Sequence, residues 1–484
     1  MSRTFPAHVI TDDSALGGSV IERSLRFNND DSAYLNRTPG SESTRRAVTL
    51  SVWLKRCNFG EQLILDAFIN DSHRTRFMID AGNRMQFFTR YSGNDHTLIT
   101  NARQRDVSGW YHFVYAINTN ESTASNRVKC YINGEQQTFT GSNYPDQEDL
   151  MFGAICNHTI GVGQDSGGNE YHFDGYMAEM HCIDGTQLDP TYFGYTDSQT
   201  GLWRPKKYTY GNYGTNGFYL NFKDNSSTST LGKDTSGNGN NFTTNNFSVS
   251  AGAGNDSLED APTDNFCTLN SLDKMGTVTL SNGNLKAVIN GDNASLVTGS
   301  LGVSSGKWYY EAVADTAGAG FIGWIRLDVS SYTGYPYQQA GSLIYFSQNG
   351  SLYLNGAGGQ SYGTSYGNGD VIGCAIDLDN NKVTFYKNNS SQGTVSITAG
   401  TYHPNTCTGG SGATFTFNFG QRPFSYTPPA GHKTLNSKNL PPNVPSIIRP
   451  QKHFDTLLYT ATGNAMTVTG LEFKPDFIWQ KRRD

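Results

Sequence analysis

Short segments in which apolar and polar residues alternate run along most of this chain. Across residues 48–54 every second residue is apolar, which is the period of a β-strand with one buried face. Asn133-Gly134 separates the segments 127–132 and 135–139, and this dipeptide accepts the positive φ angles that a type I′ hairpin turn demands. The pattern therefore predicts an all-β protein with antiparallel hairpins.

A second series of strand-like segments begins near residue 265. Residues 306–312 predict a central strand, and residues 370–377 and 382–387 predict a hairpin around the turn Asp379-Asn380-Asn381. Serine, threonine, asparagine and glycine dominate the sequence between the two series, which predicts a loop or connector. The two series predict two β-sandwiches in tandem.

These patterns divide the chain into six parts. Six prolines within residues 428–450 predict a stiff extended linker, because proline fixes φ and has no ladder donor. The strand-like segment after the linker is too short to bury a core alone, so we predict the start of a third, truncated β module. The predicted parts are an N-terminal arm (1–20), a first sandwich (21–224), a connector (225–264), a second sandwich (265–427), the linker (428–450) and the partial C-terminal module (451–484).

Composition agrees with this fold class. The 484 residues include 54 glycines, 12% are aromatic and only 16% are charged, as in short strands joined by tight turns around aromatic cores. The net charge is −6 and the basic pairs are isolated, which argues against a nucleic-acid partner. No apolar run is long enough to predict a membrane span, and the N-terminus lacks the apolar core of a signal peptide.

The seven cysteines are odd in number and widely spaced, and the chain has no Cys-x-x-Cys motif. Most lie in apolar strand sequence, where cysteine behaves as a small hydrophobe. We therefore predict buried free thiols and no zinc site or disulfide framework.

Three stretches of the chain resemble known families. Six blocks match the LamG-like, concanavalin A-type jelly roll of phage and environmental virus tail proteins: Ser24-Leu-Arg-Phe-Asn28, Ala33-Tyr-Leu-Asn-Arg-Thr38, Thr49-Leu-Ser-Val-Trp53, Trp110-Tyr-His112, Tyr131-Ile-Asn-Gly-Glu135 and Phe173-Asp-Gly-Tyr-Met-Ala-Glu179 with Ile183-Asp-Gly185. The second sandwich is similar to the SPRY family through Gly306-Lys-Trp-Tyr-Tyr-Glu311 and residues 369–388. The segments 454–459 and 470–479 resemble the start of a module common in marine phage tail fibres.

Together these resemblances imply a bacteriophage virion protein. The implied role is a homotrimeric tail fibre or adhesin that binds host surface polysaccharide through loops of the sandwiches, without chemistry. Its N-terminal arm would bind other virion proteins, and the protein would be located in the virion after assembly in the host cytoplasm. Two alternatives stay open: a purely structural protein that decorates the capsid or connects the fibre, and a polysaccharide depolymerase.

One polar cluster is a candidate for chemistry. Glu170, His172 and Asp174 share one face by the period of two, and Glu179 and His181 share the other. The cluster is either a metal or acid–base site or a solvated strand face. A glycosidase needs two carboxylates about 5–10 Å apart on either side of the scissile bond. No strand carries a carboxylate pattern that predicts such a pair, so we predict that the protein is not an enzyme.

Calcium is the one cofactor that the loops suggest, because lectin-like sandwiches sometimes hold Ca²⁺ with carboxylates and backbone carbonyls. Asp165, in the glycine-rich segment 163–167, could bind it together with Asp174 or Asp66. The spacing of these residues is not that of an EF-hand. Asp165 and Asp174 are the predicted metal-binding residues.

Three tyrosines are the predicted ligand-binding residues. Tyr332, Tyr335 and Tyr337 lie in a predicted loop, although turns favour small polar residues. Loops on rigid sandwiches often carry function, and flat rings stack on the apolar faces of sugars. The alternative is that these rings cap the end of the sandwich or contact the neighbouring module.

Overall fold

A computed structural model describes residues 18–197, 200–291, 295–326, 335–440, 454–471 and 473–481. The predicted fold class is confirmed, because the described residues form two β-sandwiches in sequence order. The N-terminal sandwich contains a short helix, α1 (Ala124–Arg127), and these strands: β1 (Ser24–Phe27), β2 (Tyr34–Arg37), β3 (Ala47–Arg56), β4 (Gln62–Asn70), β5 (His73–Ile79), β6 (Arg84–Tyr91), β7 (Asn94–Arg103), β8 (Tyr111–Asn118), β9 (Val128–Ile132), β10 (Glu135–Gln136), β11 (Phe139–Thr140), β12 (Asn157–Ile160), β13 (Gly163–Asp165), β14 (Gly168–Glu170), β15 (Gly175–Asp184), β16 (Gly194–Thr196), β17 (Trp203–Pro205), β18 (Phe218–Leu220), β19 (Thr243–Asn245) and β20 (Ser257–Leu258).

Two antiparallel sheets enclose the core of this sandwich. The first sheet has the order β10-β9-β8-β3-β15-β1-β20, with β18 also paired to β15, and the second has the order β11-β7-β6-β5-β4-β12-β2-β19. The alternation predicted for residues 48–54 is confirmed, because Leu50, Val52 and Leu54 face the core while Trp53 stacks on His112 on the other face. The predicted hairpin turn is confirmed too, with φ of 48° at Asn133 and 83° at Gly134 between β9 and β10.

The C-terminal sandwich pairs its strands in two further antiparallel sheets. Its strands are β21 (Leu269–Met275), β22 (Val278–Ser281), β23 (Lys286–Ile289), β24 (Leu296–Gly299), β25 (Lys307–Thr316), β26 (Gly320–Arg326), β27 (Ser342–Phe346), β28 (Leu352–Leu354), β29 (Val371–Asp377), β30 (Lys382–Lys387), β31 (Ser390–Ser396), β32 (Tyr402–Thr408) and β33 (Ala413–Asn418). The sheet orders are β21-β24-β32-β26-β27-β28 and β22-β23-β33-β25-β29-β30-β31. The predicted hairpin of residues 370–387 is the pair β29–β30.

The segment 225–264, which the sequence suggests is a connector, is built into the fold. Strand β19 extends the second sheet by pairing with β2, and β20 extends the first sheet by pairing with β1. Leu231, Phe242 and Phe247 are buried in the core of the N-terminal sandwich. The polar composition of this segment reflects its many turns, while its few apolar residues anchor it to the core.

A buried polar network joins the two sandwiches. The Lys55 ammonium donates to Asp260 Oδ2 (2.8 Å), to Asn265 Oδ1 (2.7 Å) and to the Phe266 carbonyl (3.0 Å), and the Lys55 and Asp260 side chains are both 0% exposed. The Tyr176 hydroxyl donates to the Gly283 carbonyl at 2.6 Å. Because Tyr176 also packs into the hydrophobic core of the C-terminal sandwich, the two sandwiches are held in a fixed arrangement.

The ends of the chain are described in part. Of the predicted arm, residues 1–17 lie outside the described residues, and Ser19 donates its N–H to the Pro205 carbonyl at 3.1 Å. Within the predicted linker, Leu435 is buried against the C-terminal sandwich, and residues 441–450 lie outside the described residues. Across residues 454–471 and 473–481 the structure contains no strand, and Phe477 and Trp479 are exposed.

The predicted buried free thiols are confirmed. All seven cysteines are buried and carry free thiols. Burial raises the pKa of the Cys130 and Cys156 thiols to about 12, so these groups stay protonated near neutral pH. Within the described part of the chain, no helix has the length and hydropathy that crossing a membrane requires.

Candidate functional site

A groove of about 360 Å³ lies on the outer face of the second sheet of the N-terminal sandwich. Alternate residues of β5 and β6, such as Phe77 and Phe87, face the core, so their neighbours project from the opposite face of the sheet. We call this site the arginine groove. Strands β5 and β6 contribute Arg74, Arg76, Met78, Gln86, Phe88 and Arg90 to it, the hairpin β13–β14 with its flanking residues contributes Asp165, Ser166, Glu170 and Tyr171, and Glu61 and Asp71 complete it.

Strand register brings the arginines together. Arg74 lies directly opposite Arg90 across β5 and β6, and like charges in such a pair repel each other. Two carboxylates compensate: Asp71 Oδ1 accepts from Arg74 Nη2 at 2.5 Å, and Asp95 Oδ2 accepts from Arg90 Nη2 at 2.7 Å. The Asp95 carboxylate raises the pKa of Arg90, and Arg90 lowers that of Asp95. The groove thus presents two guanidinium groups that remain charged.

Arg76 occupies the next row of the sheet. Its Nη2 lies 2.8 Å from Glu170 Oε1, and its Nε lies 3.3 Å from Asp66 Oδ1. Asp66 Oδ2 also accepts the backbone N–H of Gln164 at 2.7 Å. Burial raises the pKa of Asp66 to about 6 and outweighs the opposing effect of Arg76. These bonds fix the hairpin β13–β14 against the sheet and position one wall of the groove.

Local geometry shapes that wall. Gly168 has a φ of 127°, a conformation that glycine adopts without steric cost, and it allows the tight turn of the hairpin. The turn is further held by Asp165 Oδ1, which accepts the Gly167 N–H at 2.7 Å. On the sheet, the Arg74 Nε is buried and has no hydrogen-bond partner among the described residues. This N–H is a donor at the groove that a ligand acceptor could satisfy.

The two predicted calcium ligands have different surroundings. Asp165 lies in the arginine groove, whereas Asp174 is absent from the lining that the described residues form. Asp174 is 8% exposed, and its Oδ1 has no hydrogen-bond partner within the described ranges. Burial, together with the nearby Asp30, raises the pKa of Asp174 to about 7. The calcium site stays a prediction.

The raised pKa of Asp174 predicts a pH dependence of stability. The folded-state pKa of about 7 lies above the ordinary aspartate value of 3.8, so the folded state binds more protons than the unfolded state between these pH values. Stability contributed by the protonated carboxyl is therefore present at pH 4 and is lost as the pH rises through 7. We expect Asp174→Asn to raise the free energy of unfolding at pH 8 by about 2 kcal/mol and to change it little at pH 4.5.

Urea denaturation of wild type and variant at both pH values measures this effect. Glu259→Gln is a suitable control, because the Glu259 side chain is 52% exposed. An equal effect of Asp174→Asn at pH 4.5 and pH 8 would contradict the assigned protonation of this carboxyl.

The predicted tyrosines belong to the C-terminal sandwich. Tyr332 lies outside the described residues. Tyr337 stacks on Phe321 with ring centroids 4.9 Å apart, and Tyr335 stacks on Tyr337 at 5.5 Å. Tyr337 therefore covers an apolar cluster on the outer face of this sandwich, while Tyr335 is 45% exposed. Their role as ligand-binding residues stays a prediction.

Two further predicted polar residues, Glu179 and His181, are engaged in hydrogen bonds and ring packing. A β-bulge in β15 places Glu179 beside His181, with Nε2 and Oε2 3.7 Å apart. Glu179 Oε2 accepts the Tyr219 hydroxyl at 2.6 Å, and the Tyr219 ring stacks on His181 at 4.2 Å. His181 Nδ1 lies 2.9 Å from the Tyr213 hydroxyl. This histidine is buried among aromatic rings and supports the packing of residues 208–219.

Sequence reasoning overlooked the arginine groove, although one signal was present. Arg74 and Arg76 are two residues apart in a strand, so they project from the same face, and so does Phe88 on the next strand. An outward row of arginines on a sheet whose other face is apolar predicts a polar binding surface. The identity of the opposing residue, Arg90, depends on register and could not be read from this spacing.

Comparison with known families identifies both sandwiches. The family model for the concanavalin A-like lectin/glucanases superfamily matches residues 27–187. The SPRY domain model matches residues 307–422. This chain carries a concanavalin A-like jelly roll and a SPRY domain in tandem. The two resemblances of the sandwiches to these families are therefore confirmed.

Curated relatives of the chain are eukaryotic proteins. The chain is 31% identical to the probable ATP-dependent RNA helicase ddx1 of Dictyostelium discoideum over 147 residues. This match covers 29% of this chain and 18% of that protein. It is 30% identical to Ran-binding protein 9 of Danio rerio, over 32% of this chain and 28% of that protein. The chain thus spans less than a third of the length of these relatives.

Solved structures also match the chain in part. The SPRY domain of human HERC1 matches at 20% identity with a TM-score of 0.27, over 31% of this chain and 96% of that chain. A heptameric SAP-like pentraxin from Limulus polyphemus matches at 15% identity with a TM-score of 0.28, over 35% of this chain and 79% of that chain.

These relatives correct the predicted function and location. The prediction of a bacteriophage tail fibre or other virion protein is wrong, because the curated relatives come from Dictyostelium, Drosophila, zebrafish and Arabidopsis. The homotrimer, the virion partners and the host polysaccharide were implied only by the phage resemblance. That resemblance reflected domain type, and a fold of this kind hosts many unrelated functions.

Proposed function

We propose that this protein is a non-catalytic binding protein whose arginine groove binds a neutral saccharide chain. One observation carries the proposal: strand register places Arg74 opposite Arg90 in an open groove that carboxylates border. A sugar hydroxyl both donates and accepts hydrogen bonds. Guanidinium donors beside carboxylate acceptors therefore match neighbouring hydroxyls of a saccharide.

The charges in the groove favour a neutral ligand. Three arginines face four carboxylates, those of Glu61, Asp71, Asp165 and Glu170, so the charges nearly cancel. A polyanion such as a sulfated polysaccharide is drawn to a surface with a strong net positive charge, which this groove lacks. The rings of Phe88 and Tyr171 add apolar surface for the C–H faces of sugar rings. The superfamily of the jelly roll, which includes lectins, also supports a saccharide ligand.

Two carboxyl groups, that of Asp71 and that of Asp66 behind the groove, favour binding without hydrolysis. A glycosidase requires a carboxyl that is still protonated near neutral pH and can reach the glycosidic oxygen. Asp71, which lines the groove, has a lowered pKa, caused first by its hydrogen bond with Ser166. Asp66 has a raised pKa of about 6, but it is fully buried and both of its oxygens are hydrogen bonded. Neither carboxyl suits the role of a general acid.

Calorimetry with neutral gluco-, manno- and galacto-oligosaccharides tests the proposal, with a heparin-derived oligosaccharide for comparison. We expect a neutral oligosaccharide to bind, and Arg90→Gln to weaken its binding about tenfold, because one charge-assisted donor is lost. Arg103→Gln is the matched control, since the exposed Arg103 guanidinium donates to the Gly82 carbonyl outside the groove. Incubation of the bound saccharide should release no new reducing ends.

Two results would overturn the proposed function. One is a wild-type protein that binds none of the neutral oligosaccharides, and the other is equal affinity of wild type and Arg90→Gln. New reducing ends would show that the groove is catalytic. Circular dichroism of each variant checks that the sandwich is folded. We expect Arg90→Gln to fold normally, because the Arg90 side chain is partly exposed.

A further inference from the structure

Three side chains from distant parts of the sequence converge at the end of the jelly roll. His96 lies on β7, while Asp146 and Glu148 lie in the segment between β11 and β12. One ligand atom of each residue lies within 4.8 Å of the others. His96 is on the same side of β7 as the core residue Leu98, so its ring points between the two sheets. This cluster lies apart from the lining of the arginine groove.

The polar atoms of this cluster lack hydrogen bonds. His96 is only 9% exposed, yet neither ring nitrogen has a hydrogen-bond partner among the described residues. The Glu148 Oε1 atom is likewise buried without a partner in the described part of the chain. A buried polar atom without a partner costs about 1–3 kcal/mol, so a native fold normally supplies one. Two of these atoms, His96 Nε2 and Glu148 Oε1, lie beside each other, which indicates that a bound group completes the site.

The distances fit a metal ion better than a hydrogen bond. His96 Nε2 and Glu148 Oε1 are 3.6 Å apart, beyond the usual range of about 2.7–3.2 Å for a hydrogen bond. Two ligands on a tetrahedral Zn²⁺, each about 2.1 Å from the ion, are separated by about 3.4 Å. Zinc binds both imidazole nitrogens and carboxylate oxygens, whereas calcium and magnesium prefer oxygen ligands alone.

We propose that His96, Asp146 and Glu148 bind a Zn²⁺ ion. Each side chain supplies one ligand atom, and water takes the remaining coordination position. The two carboxylates neutralise the charge of the ion. Binding ties the segment 141–150 to β7 and so closes this end of the jelly roll.

The surrounding structure holds the ligands in place. The Thr119 hydroxyl donates to the Glu148 carbonyl at 2.7 Å, and the Arg46 guanidinium binds the Asp149 carboxylate and the Gln147 carbonyl. Arg46 is therefore engaged beside the site and leaves the Glu148 carboxylate to the ion. A ligand frame anchored on both sides needs little rearrangement to accept a metal.

Titration of the metal-free full-length protein with Zn²⁺, in competition with a chromophoric chelator, tests the proposal. We expect one equivalent of Zn²⁺ to bind and to raise the thermal unfolding midpoint. His96→Gln should weaken binding about 100-fold or more, because loss of even an outer-shell partner costs about 10- to 100-fold. His73→Gln, at the start of β5, is the matched control and should bind Zn²⁺ like the wild type.

Asp146→Asn provides an independent variant that keeps the fold. Asp146 is exposed, so its substitution should leave the thermal midpoint without Zn²⁺ unchanged while weakening Zn²⁺ binding about tenfold or more. Absence of Zn²⁺ binding in the wild type would overturn the proposal. Equal binding by wild type, Asp146→Asn and His96→Gln would overturn it as well, since the ion would then be bound elsewhere.

Discussion

Replacing Asp260 by asparagine should lower the free energy of unfolding by about 3–5 kcal/mol, because it leaves the buried Lys55 ammonium without a counter-charge. Both side chains are 0% exposed and lie 2.8 Å apart between the two sandwiches. Asp260 Oδ1 also accepts from the Trp110 indole N–H at 3.1 Å and from the Phe266 N–H at 3.2 Å. The carboxylate thus joins the jelly roll to the start of the SPRY domain.

Chemical denaturation of the full chain measures this effect, and an exposed ion pair supplies the control. Lys223 Nζ and Glu22 Oε1 are also 2.8 Å apart, but their side chains are 62% and 55% exposed. Glu22→Gln should therefore change the free energy of unfolding by about 1 kcal/mol at most. Similar losses in Asp260→Asn and Glu22→Gln would contradict the buried network that joins the domains.

Glu311→Ala should destabilise the SPRY domain by about 3 kcal/mol or more. Glu311 is 2% exposed, and its Oε2 accepts the Ser425 N–H at 2.7 Å while its Oε1 accepts the Tyr426 N–H at 2.9 Å and the Tyr309 hydroxyl at 3.1 Å. Alanine removes all three acceptors, and each donor left unsatisfied in a buried site costs about 1–3 kcal/mol. The segment that follows β33 would lose its attachment to β25.

The variant Glu311→Gln distinguishes the contribution of the hydrogen bonds to stability from the contribution of side-chain volume. Glutamine keeps one acceptor oxygen and nearly the same shape. We therefore expect Glu311→Gln to lower the free energy of unfolding by about 2 kcal/mol, which is less than the effect of Glu311→Ala. Glu135→Ala, at an exposed position of β10, serves as the control in thermal and urea denaturation. If alanine and glutamine at position 311 destabilise equally, the hydrogen bonds to Ser425 and Tyr426 contribute less than their geometry implies.

Glu311 also explains one of the motifs in physical terms. It ends the block 306–311, on which the resemblance to the SPRY family rests. Trp308 and Tyr310 of the same block fill the core, as the alternation of a strand predicts. A buried glutamate in a central strand is costly unless it is hydrogen bonded, and backbone N–H groups more than a hundred residues later satisfy it.

The predicted function was wrong because it did not rest on particular side chains. The blocks that matched known families described domain types correctly, because they encode strands, turns and core positions. The phage context was inferred from known proteins that carry such domains. It was not inferred from any side chain that acts on a ligand. Side chains on a scaffold decide function, and the scaffold alone leaves it open.

The all-β class, the two sandwiches, the tight turn at Asn133-Gly134 and the burial of the cysteines could be predicted from the sequence, because they follow from local chemistry. Alternation and turn preference act over a few residues, so one chain suffices to read them. The candidate sites, in contrast, depend on long-range contacts. Arg74 faces Arg90 through strand register, His96 meets Glu148 across a loop, and Lys55 meets Asp260 from 205 positions away. Such contacts depend on how whole sheets pack, and no local pattern carries that information.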